Sequence, residues 1–384
     1  MSKPCIVLAP NAFKESLSAP LAAQAMREGV CRVAPGADTR SVPLADGGDG
    51  TVDALVSARQ GERIHLAVNG PLMRKTDSHY GLIDEGKTAV IEMALASGLW
   101  MLAQKERNPL KTTTYGTGEL IRDALDRGVE RIVIGIGGSA TTDGGVGMAE
   151  ALGYRFYDNE GEAINPVGGE TKRIARIDES QVHARLAGVQ IDVACDVTNP
   201  LLGERGAAMV FGPQKGATPA MVEHLEHGLT NLAQRWQEHF GQAYEEIPGA
   251  GAAGGLGAGL IAFCGAQLQS GFDLIARYAG LHNALQGAEL VITGEGKIDG
   301  STRYGKVPFG VAQAAQALGV PVVAVTGYRG QDATELHDCG LHAILSVVPG
   351  PVSLSDAMNH AYANVADTCE QLMRLWLIHH PDNR

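Results

Sequence analysis

Short continuous apolar runs alternate with helix-spaced apolar positions at both ends of the chain. Residues 5–10 (CIVLAP) predict a buried strand, and Leu21, Ala25, Met26, Val30 and Val33 predict the helix after it. Ser18 is placed to cap that helix, and Pro20 is tolerated in its first turn. A strand at 40–43, a short helix at 51–58 and a strand at 63–68 follow, and Asn69-Gly70-Pro71 then breaks the pattern. From 288 the rhythm returns: a strand at 288–293, a helix near 307–318, strands at 321–325 and 342–347, and a terminal helix at 354–376. Buried strands alternating with helices predict a parallel sheet.

The middle reads differently. Segments 79–84 and 88–93 flank Asp84-Glu85-Gly86-Lys87 and predict a hairpin. A helix at 117–127, a strand at 131–136, a glycine-rich turn into 145–152, strands at 190–195 and 207–211, and a long amphipathic helix at 219–239 complete it. The expected organisation is a discontinuous α/β domain of residues 1–70 plus 285–384, with an inserted mixed α/β domain of residues 71–284.

Composition adds three points. Apolar residues at 45% and charged residues at 19% support a packed core rather than disorder. Glycine is unusual, at 50 of 384 residues against about 7% in ordinary chains, and it clusters instead of repeating. The net charge of −12 argues against a nucleic-acid scaffold but leaves an anionic small substrate open, because local donors decide that. Cysteines 5, 31, 195, 264, 339 and 369 are scattered with no CxxC, as expected of reduced thiols in a cytoplasmic protein. The apolar start is too short for a signal sequence, and no run reaches the 18 residues of a membrane span. His224 and His227 share a helix face but have no further ligand nearby, so a solvated face is expected there.

Two motif matches fail on context. Gly81 to Thr88 spells a P-loop, but Lys87 leads into TAVIEM, a strand, and Asp84 and Glu85 would repel phosphate. Gly249 to Gly254 spells GxGxxG, but no strand precedes it.

Four other segments carry candidate chemistry. Asn11, Lys14 and Ser16 follow strand 5–10, where ligands lie in open parallel sheets, and Lys14 can meet a phosphate or carboxylate. Asp46 and Asp49 flank Gly47-Gly48 and suit Mg²⁺, which takes one or two carboxylates plus phosphate oxygens. Gly137, Gly138, Ser139, Thr141, Thr142 and Asp143 follow a strand and open a helical segment, a composition fit to cradle an anion with amides and hydroxyls. Glu295, Lys297, Asp299 and Lys306 mix acids and cations after strand 288–293. Asp196 ends an apolar strand and can serve as a base, and Lys215 lies in a further glycine-rich segment. Phosphate donors, metal acids and a base are what phosphoryl transfer uses. A closing anion-binding protein and a nucleotide-dependent ligase are the rival classes.

At these residues the chain resembles the type 2 glycerate kinases, the bacterial glycerate 2-kinases. The resemblance rests on APNAFKESLSA, PLADGGDGT, TYGTGELI, IGIGGSATTDGG, CDVTNPLLG, VFGPQKGA, PGAGAAGGLGAG and ITGEGKIDGSTRYGK, which run from residue 9 to 306 in order. Thr142 stands where Asn is expected, and Gly300-Ser301 where Ser-Gln is commoner. The resemblance implies a Rossmann-like part and a second α/β part with an active-site cleft between them. It also implies transfer of the ATP γ-phosphate, with Mg²⁺, to the 2-hydroxyl of D-glycerate. Another small hydroxy acid, or the 3-hydroxyl, stays open, since spacing does not report regiochemistry. With ATP and D-glycerate as partners, Gly137, Gly138, Ser139, Thr141, Asp143 and Lys297 are expected at the nucleotide phosphates. Asn11, Ser16, Lys215 and Lys306 are expected at the substrate, and Asp46, Asp49, Glu295 and Asp299 at the metal. Lys14, Asp46 and Asp196 are the expected catalytic groups.

Overall fold

The structure, a computed structural model, describes residues 3–378. They form two compact units. One holds the residues up to 46, then 53–60 and those from 272 on; the other holds 47–52 and 61–271. The strands are β1 (Cys5–Pro10), β2 (Asp38–Ser41), β3 (Glu62–Asn69), β4 (Lys75–Ile83), β5 (Thr88–Glu92), β6 (Arg131–Gly135), β7 (Arg155–Tyr157), β8 (Arg176–Asp178), β9 (Gln190–Ala194), β10 (Gln267–Gln269), β11 (Leu290–Ile298), β12 (Val322–Arg329) and β13 (Leu341–Ser346).

In the first unit the order is β13-β12-β11-β1-β2, all parallel. Every residue of β1 is buried, as a central strand covered on both faces requires. The helix Ala19–Val33 starts where its signals put it: the Ser18 hydroxyl accepts the Leu21 amide at 3.4 Å, and Pro20 sits in the first turn. The order is that of a doubly wound sheet, which reverses direction between β1 and β11, where such sheets bind ligands. β11 runs to Ile298, past the expected 293, so Glu295 and Lys297 lie on a strand opposite Thr326 and Tyr328. The terminal helical stretch is two helices, Leu354–Asn359 and Ala361–Trp376.

The second unit carries a six-stranded mixed sheet, β10-β9-β6-β5-β4-β3, parallel from β10 to β5 and antiparallel from β5 to β3. The segment 61–70, expected in the first domain, groups here because β3 pairs with β4 along its whole length. Residues 272–284, expected in the insertion, group with the first unit, where Arg40 donates to the carbonyls of Ala284 and Gln286 at 2.9 and 2.7 Å. Residues 207–211 are a helix, Ala207–Phe211, not a strand. Periodicity cannot separate a five-residue apolar run in a strand from one in a helix. The Asp84-Glu85-Gly86 bend is the β4–β5 hairpin turn, with left-handed φ of 54°, 59° and 83°. GxGxxG is a packing device: a Cβ on Gly254 would lie 2.0 Å from the Thr141 carbonyl oxygen.

Candidate functional site

Within the first unit, a cavity of about 480 Å³ opens at the carboxyl ends of its strands. The β1 end turns sharply. Asn11 donates its amide to the Gly294 carbonyl at 2.8 Å, and its side chain accepts the Ala12 amide at 2.7 Å. The Ser16 hydroxyl donates to the Phe13 carbonyl at 3.0 Å, and Glu15 between them takes a left-handed φ of 63°. Non-glycine residues adopt this region at a cost, and loops that present side chains to a ligand tolerate it. The turn leaves Lys14 exposed on the cavity. Asn11, Ser16, Asp46, Glu295, Lys297 and Lys306, all picked out in the sequence, line the same cavity.

Its acids differ in state. Glu295 is 7% exposed, and burial pushes its carboxyl up to about 7; Lys306 and the Thr302 hydroxyl, which donates to it at 3.1 Å, pull the other way, and Asp46 and Asp299 push further up. Asp299 is held down to about 2, first by Lys297 at 2.8 Å and then by Ser301, whose amide it also accepts as a helix cap. The ammonium of Lys306 donates to the Ser301 hydroxyl at 3.0 Å. Among the described residues, no three His, Cys, Asp or Glu side chains converge as a closed metal cage. Mg²⁺ does not need one, since it keeps waters and takes substrate phosphates. Glu295 and Asp46 fit it: the Asp46 charge raises the proton affinity of the Glu295 carboxyl, and a cation held by the two would relieve that repulsion. Asp299, already spent on Lys297 and its cap, is the poorer ligand. Asp49 falls in the second unit.

In the second unit two glycine-rich turns lie backbone against backbone. A Cβ on Gly135 would sit 2.3 Å from the Gly47 carbonyl oxygen, so only glycine allows the approach. Asp49 reaches the same corner, its Oδ1 3.6 Å from where a Gly138 Cβ would lie. Gly137 and Gly138 are exposed, and Ser139 is buried. Glu92, which sequence reasoning passed over, holds the Gly47–Asp49 turn: its buried carboxylate accepts the Gly50 and Val52 amides at 3.3 and 2.7 Å. A charged residue ending the apolar run 88–91 was the available signal.

The rest of the cradle turns inward, against expectation. Thr141, Thr142 and Asp143 are fully buried. The Asp143 carboxylate accepts the Thr114 amide and hydroxyl, both at 2.8 Å, and the Gly145 and Gly147 amides, both at 3.2 Å. Burial pushes its pKa up against these four donors, which leave it nothing to offer phosphate. Lys215 is 1% exposed and donates to the Thr141 carbonyl at 2.5 Å, so it supports the turn from within instead of meeting substrate. Burial pulls its ammonium down to about 7, with Asp143 opposing. Asp196 is exposed, not buried at its strand end, and accepts the Gly271 amide at 2.7 Å. A desolvation penalty therefore gives no ground for choosing it; exposure beyond the end of β9 does.

Comparisons with known proteins agree with one another. The sequence profile of the Glycerate kinase family matches residues 6–377. A glycerate kinase of Halalkalibacterium halodurans is 52% identical over 92% of this chain and 93% of its own length. A glycerate 2-kinase of Escherichia coli K12 is 46% identical over 94% of each chain. A crystal structure from Salmonella typhimurium LT2, described as a candidate glycerate kinase 2, superposes with a TM-score of 0.91 at 46% identity, covering 99% of this chain and all of its own.

Proposed function

The chain belongs to the glycerate kinase family, and from that premise we propose that it transfers the γ-phosphoryl group of ATP to the 2-hydroxyl of D-glycerate. The enzyme is a kinase acting on a small hydroxy acid. The observation that carries the reading is the first-unit cavity. It gathers three lysines, Lys14, Lys297 and Lys306, and two mutually repelling acids, Glu295 and Asp46, at the switch point of a doubly wound sheet. A simple anion binder has no use for the acids; a kinase needs both signs.

In this reading Lys14 and Lys306 neutralise the phosphate chain. Glu295 and Asp46 hold Mg²⁺, which when bound neutralises and orients the phosphates. The exposed backbone of Gly137 and Gly138 gives amides to an anionic group, and Asp196 takes the proton of the attacking hydroxyl. Asn11 and Ser16 shape the loop that presents Lys14.

The test is ADP release with D-glycerate and with a panel of small hydroxy acids, with phosphorus NMR of the product. A 2-phosphoglycerate signal from D-glycerate is expected. A 3-phosphoglycerate signal moves the assignment to the other hydroxyl, and faster turnover of another acid replaces the substrate.

A further inference from the structure

The first-unit cavity has a second side that glycerate cannot use. On its β13 side stand Val347 and Val348, just after β13, and Leu354, Ala357 and Met358 from the helix Leu354–Asn359 that follows. Tyr328 comes from β12, between β11 and β13 in the sheet order, with the Lys297 ammonium 5.9 Å from its ring centre. Leu354 is 76% exposed and Tyr328 58%, so large apolar and aromatic surface stands open at the rim of a concave site.

We infer that this wall is the base subsite for the nucleotide, with the purine seated among Tyr328, Leu354 and Met358 and its phosphates running toward Lys297, Lys306 and Lys14. The inference rests on the kinase reading and deepens it. Four observations support it. The cavity falls in the range of about 300–1,000 Å³ that small-molecule sites occupy, several times what a three-carbon acid fills. Its two sides differ in the way the two ends of a nucleotide differ: flat and apolar against polyanionic. The cations lie on strand and loop ends at the β1/β11 switch point, and the apolar side lies beyond β12 and β13 of the same sheet. Finally, the one carboxylate of the glycine-rich 137–143 turn is buried and accepts four donors, and the Thr141 and Thr142 hydroxyls beside it are buried, whereas the first-unit cavity offers a phosphate chain three lysines. A consequence is that the phosphate chain belongs mainly to the lysines of the first unit.

The experiment is calorimetric titration of the full-length enzyme and two variants with ADP and, separately, with inorganic tripolyphosphate, alongside steady-state kinetics. Ala357 is half-buried on the apolar wall, and Ala357→Trp fills the space the base would take. It is expected to weaken ADP binding and raise the KM for ATP about 30-fold, since a buried ring face carries that much affinity. Tripolyphosphate affinity and the melting temperature are expected to stay unchanged. Leu354→Ala removes an exposed side chain without threatening the fold and is expected to weaken ADP about 5-fold. Unchanged ADP affinity in Leu354→Ala and Ala357→Trp overturns the inference, and so does a parallel loss of ADP and tripolyphosphate binding. If Ala357→Trp fails to fold, Leu354→Ala decides. Failure of the kinase reading is separate: it shows as wild-type enzyme that binds ADP but releases none from ATP on adding D-glycerate.

Discussion

As stretches of sequence, the first unit's loop of residues 10–16 and the second unit's turn of residues 137–145 are alike. Each follows a buried strand, and each offers small, hydroxyl and charged residues. In the folded chain they do opposite things. The loop leaves Lys14 exposed on a cavity, while the Asn11 and Ser16 side chains bond locally. The turn buries Thr141, Thr142 and Asp143; the Asp143 carboxylate accepts from Thr114 and from the amides of Gly145 and Gly147, and Lys215 donates to the Thr141 carbonyl. A strand end rich in small and polar residues thus signals close backbone approach. Whether that approach serves a ligand or another part of the same fold depends on what packs above it.

The contrast can be tested from its strongest consequence down. Asp143→Ala strands four donors in the interior, and a loss of about 3–5 kcal/mol in denaturant stability is expected. A variant as stable as the parent would break the claim that this turn is scaffolding. Lys14→Ala should do the reverse: kcat/KM falls about 100-fold or more, as when one preorganised donor to developing charge is removed, while the melting temperature holds. An equal loss of both would erase the distinction between the regions.

Asp196 sharpens the comparison because it is an exposed acid in the unit whose glycine-rich turn faces inward. Asp196→Asn keeps an acceptor for the Gly271 amide but removes the base. A fall in kcat of about 100-fold with KM for glycerate little changed is expected, and near-parental turnover would remove Asp196 from the role.

The smallest effect is on pH dependence. The Lys215 ammonium is held down to about 7 from an ordinary 10.5. Between those values the unfolded chain keeps a proton that the folded chain has released. Folding stability therefore rises with pH through this window, by at most about 1.4 kcal/mol per pH unit from this group. Urea midpoints of the parent and Lys215→Met at pH 7, 8 and 9 should show that rise in the parent relative to the variant. Parallel profiles would mean the lysine is not buried as described.

Much of this was readable from residues alone. Apolar runs and cap signals located β1, the helix with its Ser18 cap, the β4–β5 hairpin and the alternation of the two chain ends, because burial periodicity and capping act over a few residues. Local chemistry also nominated the seven cavity residues Asn11, Lys14, Ser16, Asp46, Glu295, Lys297 and Lys306. Other features were decided between residues far apart in the chain. β3 joined the second sheet because β4 offered it a full-length partner. Glu295 and Asp299, four residues apart, took opposite protonation tendencies because one is buried and the other is paired with Lys297. Lys215 and Asp143 became internal because residues 114, 141 and 215 meet in space. Solvation and hydrogen-bond saturation set what a polar side chain can do, and both are properties of the packed neighbourhood, which no short stretch of sequence contains.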